Sequence, residues 1–446
     1  MGKKISLSLV VIIISGCVLI SAGLSVGAFF LLKSQKNYTP PMVEATEPPS
    51  VDVQMDTIQQ QVSDIRGLEM NAPLDRAMMS NAELQDVVMN EFFVDYTPEM
   101  AQQDTDVLSA LGLLEPDFDL LQFYIDLYSE QIAGYYDSTT KEMYVIGDAG
   151  FTGLERMTYS HEFTHVLQDQ NYDLENGMKL NDDYCEIETE YCAAVSALVE
   201  GDATLTEQYW FLSNSTNQDK TDVSDFQTSY KSPVYDSAPA YMKQDFLFPY
   251  KQGFTFVNAL YGDDKWKSVD AAYANPPVST EQILHPEKYP DEKPLIVDVP
   301  DLDGALGDGW TKIDQNTMGE WYTSLVFDSG IDPKFQLDAS TAATAAEGWG
   351  GDTYAYYDDS NSDAYVFAWL SAWDSTNDAD EFFNSGKEYG SLRWGTPLTE
   401  DANVTSWGTA GQITVSMTQT GDQVLWIISN DSAAHDKTLS AFNSFE

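Results

Sequence analysis

Histidine, cysteine and basic side chains are all scarce in this 446-residue chain. There are four histidines, three cysteines, and 22 lysines and arginines against 72 aspartates and glutamates. Each shortage excludes something. A formal charge of −50 repels nucleic acid and anionic lipid headgroups, so neither is an expected partner. Such a surface stays soluble where salt screens its self-repulsion, which suits a salt-rich habitat. Three cysteines cannot build a disulfide framework. Cys185 and Cys192 are seven residues apart. On one helix their Cα atoms stand about 10 Å apart, too far for a bridge. Two buried thiols are therefore expected, unless the helix begins after Cys185. Four histidines allow at most one imidazole-rich site, and two of them fall within five residues.

Those two lie in Tyr159-Ser160-His161-Glu162-Phe163-Thr164-His165, a His-Glu-x-x-His segment. On a helix, positions i and i+4 share a face, so His161 and His165 can offer two imidazoles to one cation. Glu162, one step round, can reach a water at the metal rather than the metal itself. This arrangement suits zinc-assisted hydrolysis of an amide bond, provided that the motif is helical. Thr152-Gly153-Leu154-Glu155 has the form of a capping box, which predicts a helix over about 152–169. Two β-prone runs around a polar turn predict a hairpin over 135–146, just before that helix. An exposed strand there could pair with an extended peptide.

A zinc ion held this way needs a third protein ligand. The next long helix, expected over about 184–211, embeds Glu200 among Ser196, Ala197, Ala203 and Thr204. These small neighbours leave room in front of the carboxylate and make Glu200 the expected third ligand. Glu186, Glu188 and Glu190 are the other candidates. Gly201 costs roughly 1 kcal/mol against alanine inside a helix, which a close backbone approach would explain. Asp202 points to a different face and is expected to support a ligand from behind. Asp169, at i+4 from His165, is expected to orient its imidazole. A donor for the developing oxyanion is also needed. His285 is the leading candidate, with Tyr250 and Tyr289 as alternatives, and His435 reads as surface.

The chain is long enough for two or three domains. An uncharged apolar run from Ile5 to Leu32 is long enough to span a bilayer, and Cys17 within it sits in a lipoprotein-like box. An uncleaved membrane anchor is expected over 1–33. A Pro-rich stalk follows over 34–55, then a body over 56–335 and a C-terminal α+β domain over 336–446. Triplets of the N-x-S/T type at Asn37, Asn214, Asn403 and Asn430 favour an external body. The C-terminal domain is expected to hold strands near 353–358, 364–373, 411–418 and 421–429, with helices near 377–388 and 433–444.

His161-Glu162-Phe163-Thr164-His165 followed by Glu200-Gly201-Asp202-Ala203 resembles the gluzincin zinc metallopeptidases, which pair His-Glu-x-x-His with a glutamate on a later helix. Gly134-Tyr135-Tyr136-Asp137, His165-Val166-Leu167-Gln168-Asp169-Gln170 and Leu198-Val199-Glu200 extend the pattern. Together they make the chain similar to a family of membrane-anchored archaeal and bacterial proteins. The gluzincin resemblance covers about 120–290. It implies an α+β fold whose core is mainly helical and zincin-like with a small edge hairpin. It also implies Zn2+ and peptide hydrolysis. The exopeptidase signature Gly-Ala-Met-Glu-Asn is absent, so aminopeptidase activity does not carry over. The expectation is a membrane-anchored, outward-facing zinc metallopeptidase acting on a peptide or protein. Zinc would be held by His161, His165 and Glu200, with Glu162 as general base. The rivals are a non-catalytic surface module, which has no need of Glu162, and a zinc hydrolase of a non-peptide amide.

Overall fold

The computed structural model describes residues 14–18, 49–409 and 412–442. Across them the chain is mixed α+β. The expected anchor lies outside the described residues except for Ile14–Val18, a short strand, β1. No helix among the described residues is long and apolar enough to cross a membrane. Residues 34–48 of the expected stalk also lie outside. Helix α1 (Val51–Arg66) begins before the stalk was expected to end.

Strands β2 (Asp75–Met79), β3 (Ile132–Asp137) and β4 (Glu142–Ile146) join β1 in one sheet of order β1-β3-β4-β2. The β3–β4 pair is the expected hairpin, with Tyr135 opposite Tyr144. The strand begins earlier than the sequence suggested, because the helix Leu120–Gln131 runs straight into it. Gly134 is a strand residue. A Cβ on it would meet Thr158 Cγ2 at 2.7 Å and Glu162 Cγ at 3.0 Å. Glycine here lets β3 lie directly against the helix that carries the motif.

That helix, α2 (Gly153–Tyr172), is buried along most of its length. Glu155 reaches back to the Thr152 amide at 2.8 Å, closing the expected capping box. Helix α3 (Thr189–Asn214) follows. It starts later than expected, and this corrects the reading of the cysteines. Cys185 sits in a separate turn, Asp182–Cys185, and pairs with Cys192 in a disulfide with Cα atoms 5.6 Å apart. The polar stretch 212–245 holds the helix Asn217–Ser229, whose Asp222 takes the Gly153 amide at 2.9 Å.

Helix α4 (Ala240–Asp264) crosses α3 glycine to glycine. A Cβ on Gly201 would stand 2.2 Å from the Gly253 carbonyl oxygen, and one on Gly253 would stand 2.0 Å from that of Ala197. The close approach that Gly201 called for is that of α4. Part of the small-residue surface beside Glu200 is thus filled by a helix backbone.

The C-terminal unit holds β5 (Trp310–Asn316), α5 (Gly319–Asp328), β6 (Trp349–Asp359), β7 (Tyr365–Trp373), α6 (Thr376–Trp394), β8 (Thr399–Glu400), β9 (Val404–Thr409), β10 (Ile413–Thr420), β11 (Gln423–Ser429) and α7 (Ser432–Ala441). Its sheet runs β5-β6-β7-β11-β10-β9-β8, each neighbour antiparallel. The four expected strands and two helices are there with shifted ends. β5 and β8, at the two edges, and β9 beside β8 were not anticipated, because they lack long apolar runs. Through β5 the unit reaches back to about residue 310 rather than 336. Its core is aromatic, with Trp349, Trp369, Trp373, Trp407 and Trp426 buried and Trp369 stacked on Trp426 at 5.8 Å.

Candidate metal centre

Helices α2 and α3 meet at the motif. His161 and His165 are one turn apart, and their ring centroids stand 4.8 Å from one another. Glu200 Oε2 on α3 lies 3.1 Å from His161 Nε2 and 3.5 Å from His165 Nε2. A tetrahedral ion with ligand bonds of roughly 2.0–2.2 Å holds its ligand atoms about 3.3–3.5 Å apart. The three donors are thus spaced for zinc. Both imidazoles are fully buried and Glu200 is 8% exposed. His165 Nε2 is buried without a hydrogen-bond partner, and buried polar atoms are rarely left so. Two imidazoles and a carboxylate at these separations fit a zinc ion.

The electrostatics agree with a cation-binding cluster. Burial works against a charge on His161, yet hydrogen bonds to Glu200 and Glu207 outweigh it and lift its pKa to about 10. Burial would raise Glu200, but the facing His165 and His161 hold it at about 2. A proton on His161 balances the two carboxylates as a metal cation would.

Each imidazole is fixed from behind by a residue that the sequence reading missed. Glu207 Oε2 lies 3.0 Å from His161 Nδ1. It sits seven residues after Glu200, two turns on the same face, and that spacing was the available signal. Gln168 Oε1 lies 2.8 Å from His165 Nδ1. Asp169, expected in that role, instead accepts from Tyr136 Oη and Lys141 Nζ, both at 2.7 Å. It ties α2 to the hairpin. Asp202 does support a histidine, but only through Gln168, at 3.1 Å. Glu162 is buried, with its Cγ packed beside Gly134 of β3.

The structure does not bring His285 to this cluster. Its Nε2 lies 2.8 Å from Glu320 Oε1. It ends the short helix Thr280–Leu284, whose Thr280 donates to Glu190. Glu190 stands ten residues before Glu200, about 15 Å along α3. Being a histidine in the body was no guide to position, and the assignment as oxyanion donor is corrected. Tyr289 is also engaged elsewhere, donating to the Asn275 carbonyl at 2.7 Å. Tyr250 is beside the imidazoles, its ring 6.3 Å from that of His161. It lies one turn before Gly253, so the α3–α4 crossing places it. Of the other carboxylates considered as ligands, Glu190 binds Thr280 and Glu188 precedes the first residue of α3. Neither these two nor Glu186 joins the histidines. His435, expected at the surface, is buried against Ser416 Oγ at 2.8 Å.

A second convergence, of Glu281, Glu292 and Asp374, surrounds Lys288 Nζ at 2.7, 2.8 and 2.8 Å.

Residues 309–439 match a family model described as a domain of unknown function, DUF8575. The match covers the C-terminal sheet and its helices, and His161, His165 and Glu200 lie outside it. No curated protein and no solved structure matches the chain.

Proposed function

We propose that the protein is a zinc metallopeptidase with a zincin-like core, held to a membrane by its N-terminal apolar run and facing outward. The observation that carries this reading is the meeting of His161 Nε2, His165 Nε2 and Glu200 Oε2 across two helices at 3.1 and 3.5 Å. Zinc held by His161, His165 and Glu200 would supply a Lewis acid and make water beside it more acidic. Glu162 takes a proton from the attacking water at its carboxylate and returns it to the leaving nitrogen. Tyr250 replaces His285 as the donor to the developing oxyanion. Glu207 and Gln168 hold the two rings from behind, so that both Nε2 atoms face the cluster. β3 lies against Glu162 at Gly134. The Cys185–Cys192 disulfide supports an oxidising, external compartment for the body.

The test is metal analysis of the full chain together with cleavage of a fluorogenic peptide library, beside Glu162→Gln. The variant should keep its zinc and lose roughly 10²–10⁴-fold in kcat. If the zinc-loaded wild type cleaves nothing that the variant spares, the peptidase reading fails.

A further inference from the structure

The two imidazoles are held by different chemistry. His161 Nδ1 faces a carboxylate and His165 Nδ1 faces an amide. A glutamine amide can face either way, and its partners decide which. Gln168 Nε2 lies 2.9 Å from the Val199 carbonyl and 3.1 Å from Asp202 Oδ2. Both partners can only accept, so the nitrogen must face them and Oε1 must face His165. An amide oxygen also only accepts. His165 must therefore carry a proton on Nδ1, which leaves Nε2 turned toward Glu200.

Asp202 is fixed in turn. It accepts from Arg66 Nε at 2.8 Å and from Tyr273 Oη at 2.8 Å. Arg66 comes from α1 and is fully buried. It also meets Asp270 at 2.7 Å and lies over the Trp266 ring at 4.7 Å. The order runs from α1, through Asp202 on α3, to Gln168 and His165 on α2.

We infer that Gln168 is the positioning residue for His165, and that the Arg66–Asp202 pair sets the facing of its amide. The segment outside the motif thereby selects which nitrogen of His165 is offered to the metal. A carboxylate at 168 would not serve. Its second oxygen would meet the Val199 carbonyl and Asp202, two acceptors, in a cluster already holding Glu162, Glu200 and Glu207.

The inference rests on the zinc reading for only one of its two readouts. The first uses the metal-free full chain in detergent with ¹⁵N-labelled histidine, and His165 is identified by its loss in His165→Gln. Long-range ¹H–¹⁵N spectra should show the Nδ1–H form of His165 in the wild type. They should show a mixture of forms in Gln168→Met, which fills the space without an amide acceptor. The second is zinc affinity by chelator competition. Gln168→Met and Gln168→Glu should each bind zinc roughly 10–100-fold more weakly, with an unchanged circular dichroism spectrum. An Nε2–H form in the wild type would overturn the inference. So would a Gln168→Met protein whose zinc affinity stays within twofold. Should Gln168→Met fail to fold, Asp202→Asn decides on the same two readouts, since it frees the amide to turn. A wild type that binds no zinc sinks the metallopeptidase reading, while the tautomer readout still decides this one.

Discussion

Among the described residues, ligand-bearing side chains converge at two places, and they converge on different things. At the α2–α3 crossing, two imidazoles and a carboxylate face one another at 3.1 and 3.5 Å. At the junction with the C-terminal sheet, Glu281, Glu292 and Asp374 face inward in the same manner, but Lys288 Nζ stands among them. An ammonium is a compact point charge that any set of carboxylates will satisfy. An imidazole is a ligand only when its lone pair is turned inward, and here residues on two helices are arranged to turn it. What separates a metal centre from a structural ion pair is thus the donor type and the groups behind the donors, not acidity.

The strongest way to break this comparison is to remove one donor from each cluster. Glu200→Ala should lose zinc by more than the roughly 10–100-fold that a supporting residue is worth. Asp374→Ala should keep one zinc per chain. Metal analysis after dialysis reads both. A Glu200→Ala protein that still holds stoichiometric zinc would show that Glu200 is not a ligand. Loss of zinc from Asp374→Ala would place the metal at the wrong cluster.

The next test sharpens the contrast through protons. Around the junction, burial raises Glu190 to about 8 despite hydrogen bonds from Thr280. It raises Glu281 to about 7 despite Lys288. It raises Asp352 to about 6 despite the Met318 and Gly319 amides and the Trp349 indole. These folded values lie above the unfolded ones, so the folded protein binds more protons. The stability they contribute is fully present below about pH 4 and is lost as pH rises through about 6 to 8. Glu200 runs the other way. Its folded value of about 2 gives stability that is present above about pH 4.5 and lost as pH falls toward 2. Between pH 5 and 8.5 the urea midpoint should therefore drop. Glu190→Gln, which needs no ionisation, should flatten that drop by as much as roughly 4 kcal/mol. An unchanged slope in the variant would remove Glu190 from the account.

What could be read from the sequence follows from distance along the chain. His161, Glu162 and His165 lie within one helical turn, so a local rule was enough to find them. Glu200 was singled out because its small neighbours leave room in front of the carboxylate, whereas the close approach was marked by Gly201, which meets Gly253. Gln168 and Glu207 were missed for a different reason. Their roles depend on which side chain reaches around a ring, and Asp169 at i+4 satisfied the local rule equally well. His285 was misplaced because a histidine count carries no spatial information. The Cys185–Cys192 bridge turned on whether the helix begins at residue 184 or at 189. In the C-terminal unit the buried strands were found by their apolar runs, whereas β5, β8 and β9 have no such runs to give them away. β5 is the strand that moves the unit's boundary.

The smallest expected effect belongs to Lys288→Met, and it bears most directly on why the two clusters differ. The lysine makes one hydrogen bond to a buried carboxylate, Glu281, and two to Glu292 and Asp374, whose side chains are 36% and 38% exposed. A charged hydrogen bond to a buried partner is worth about 1.5–3 kcal/mol, and exposed pairs add little. Glu281 can also take up a proton in place of the lost partner, which returns part of the cost. A loss of about 1–2 kcal/mol is expected at pH 8, shrinking toward pH 5 as Glu281 protonates, and urea unfolding at both pH values measures it. Metal analysis of the same variant is the sharper readout. If three facing carboxylates without their lysine take up a second zinc, then only the lysine keeps the junction from being a metal site. If the variant still holds one zinc, the imidazoles and the residues that turn them account for the difference.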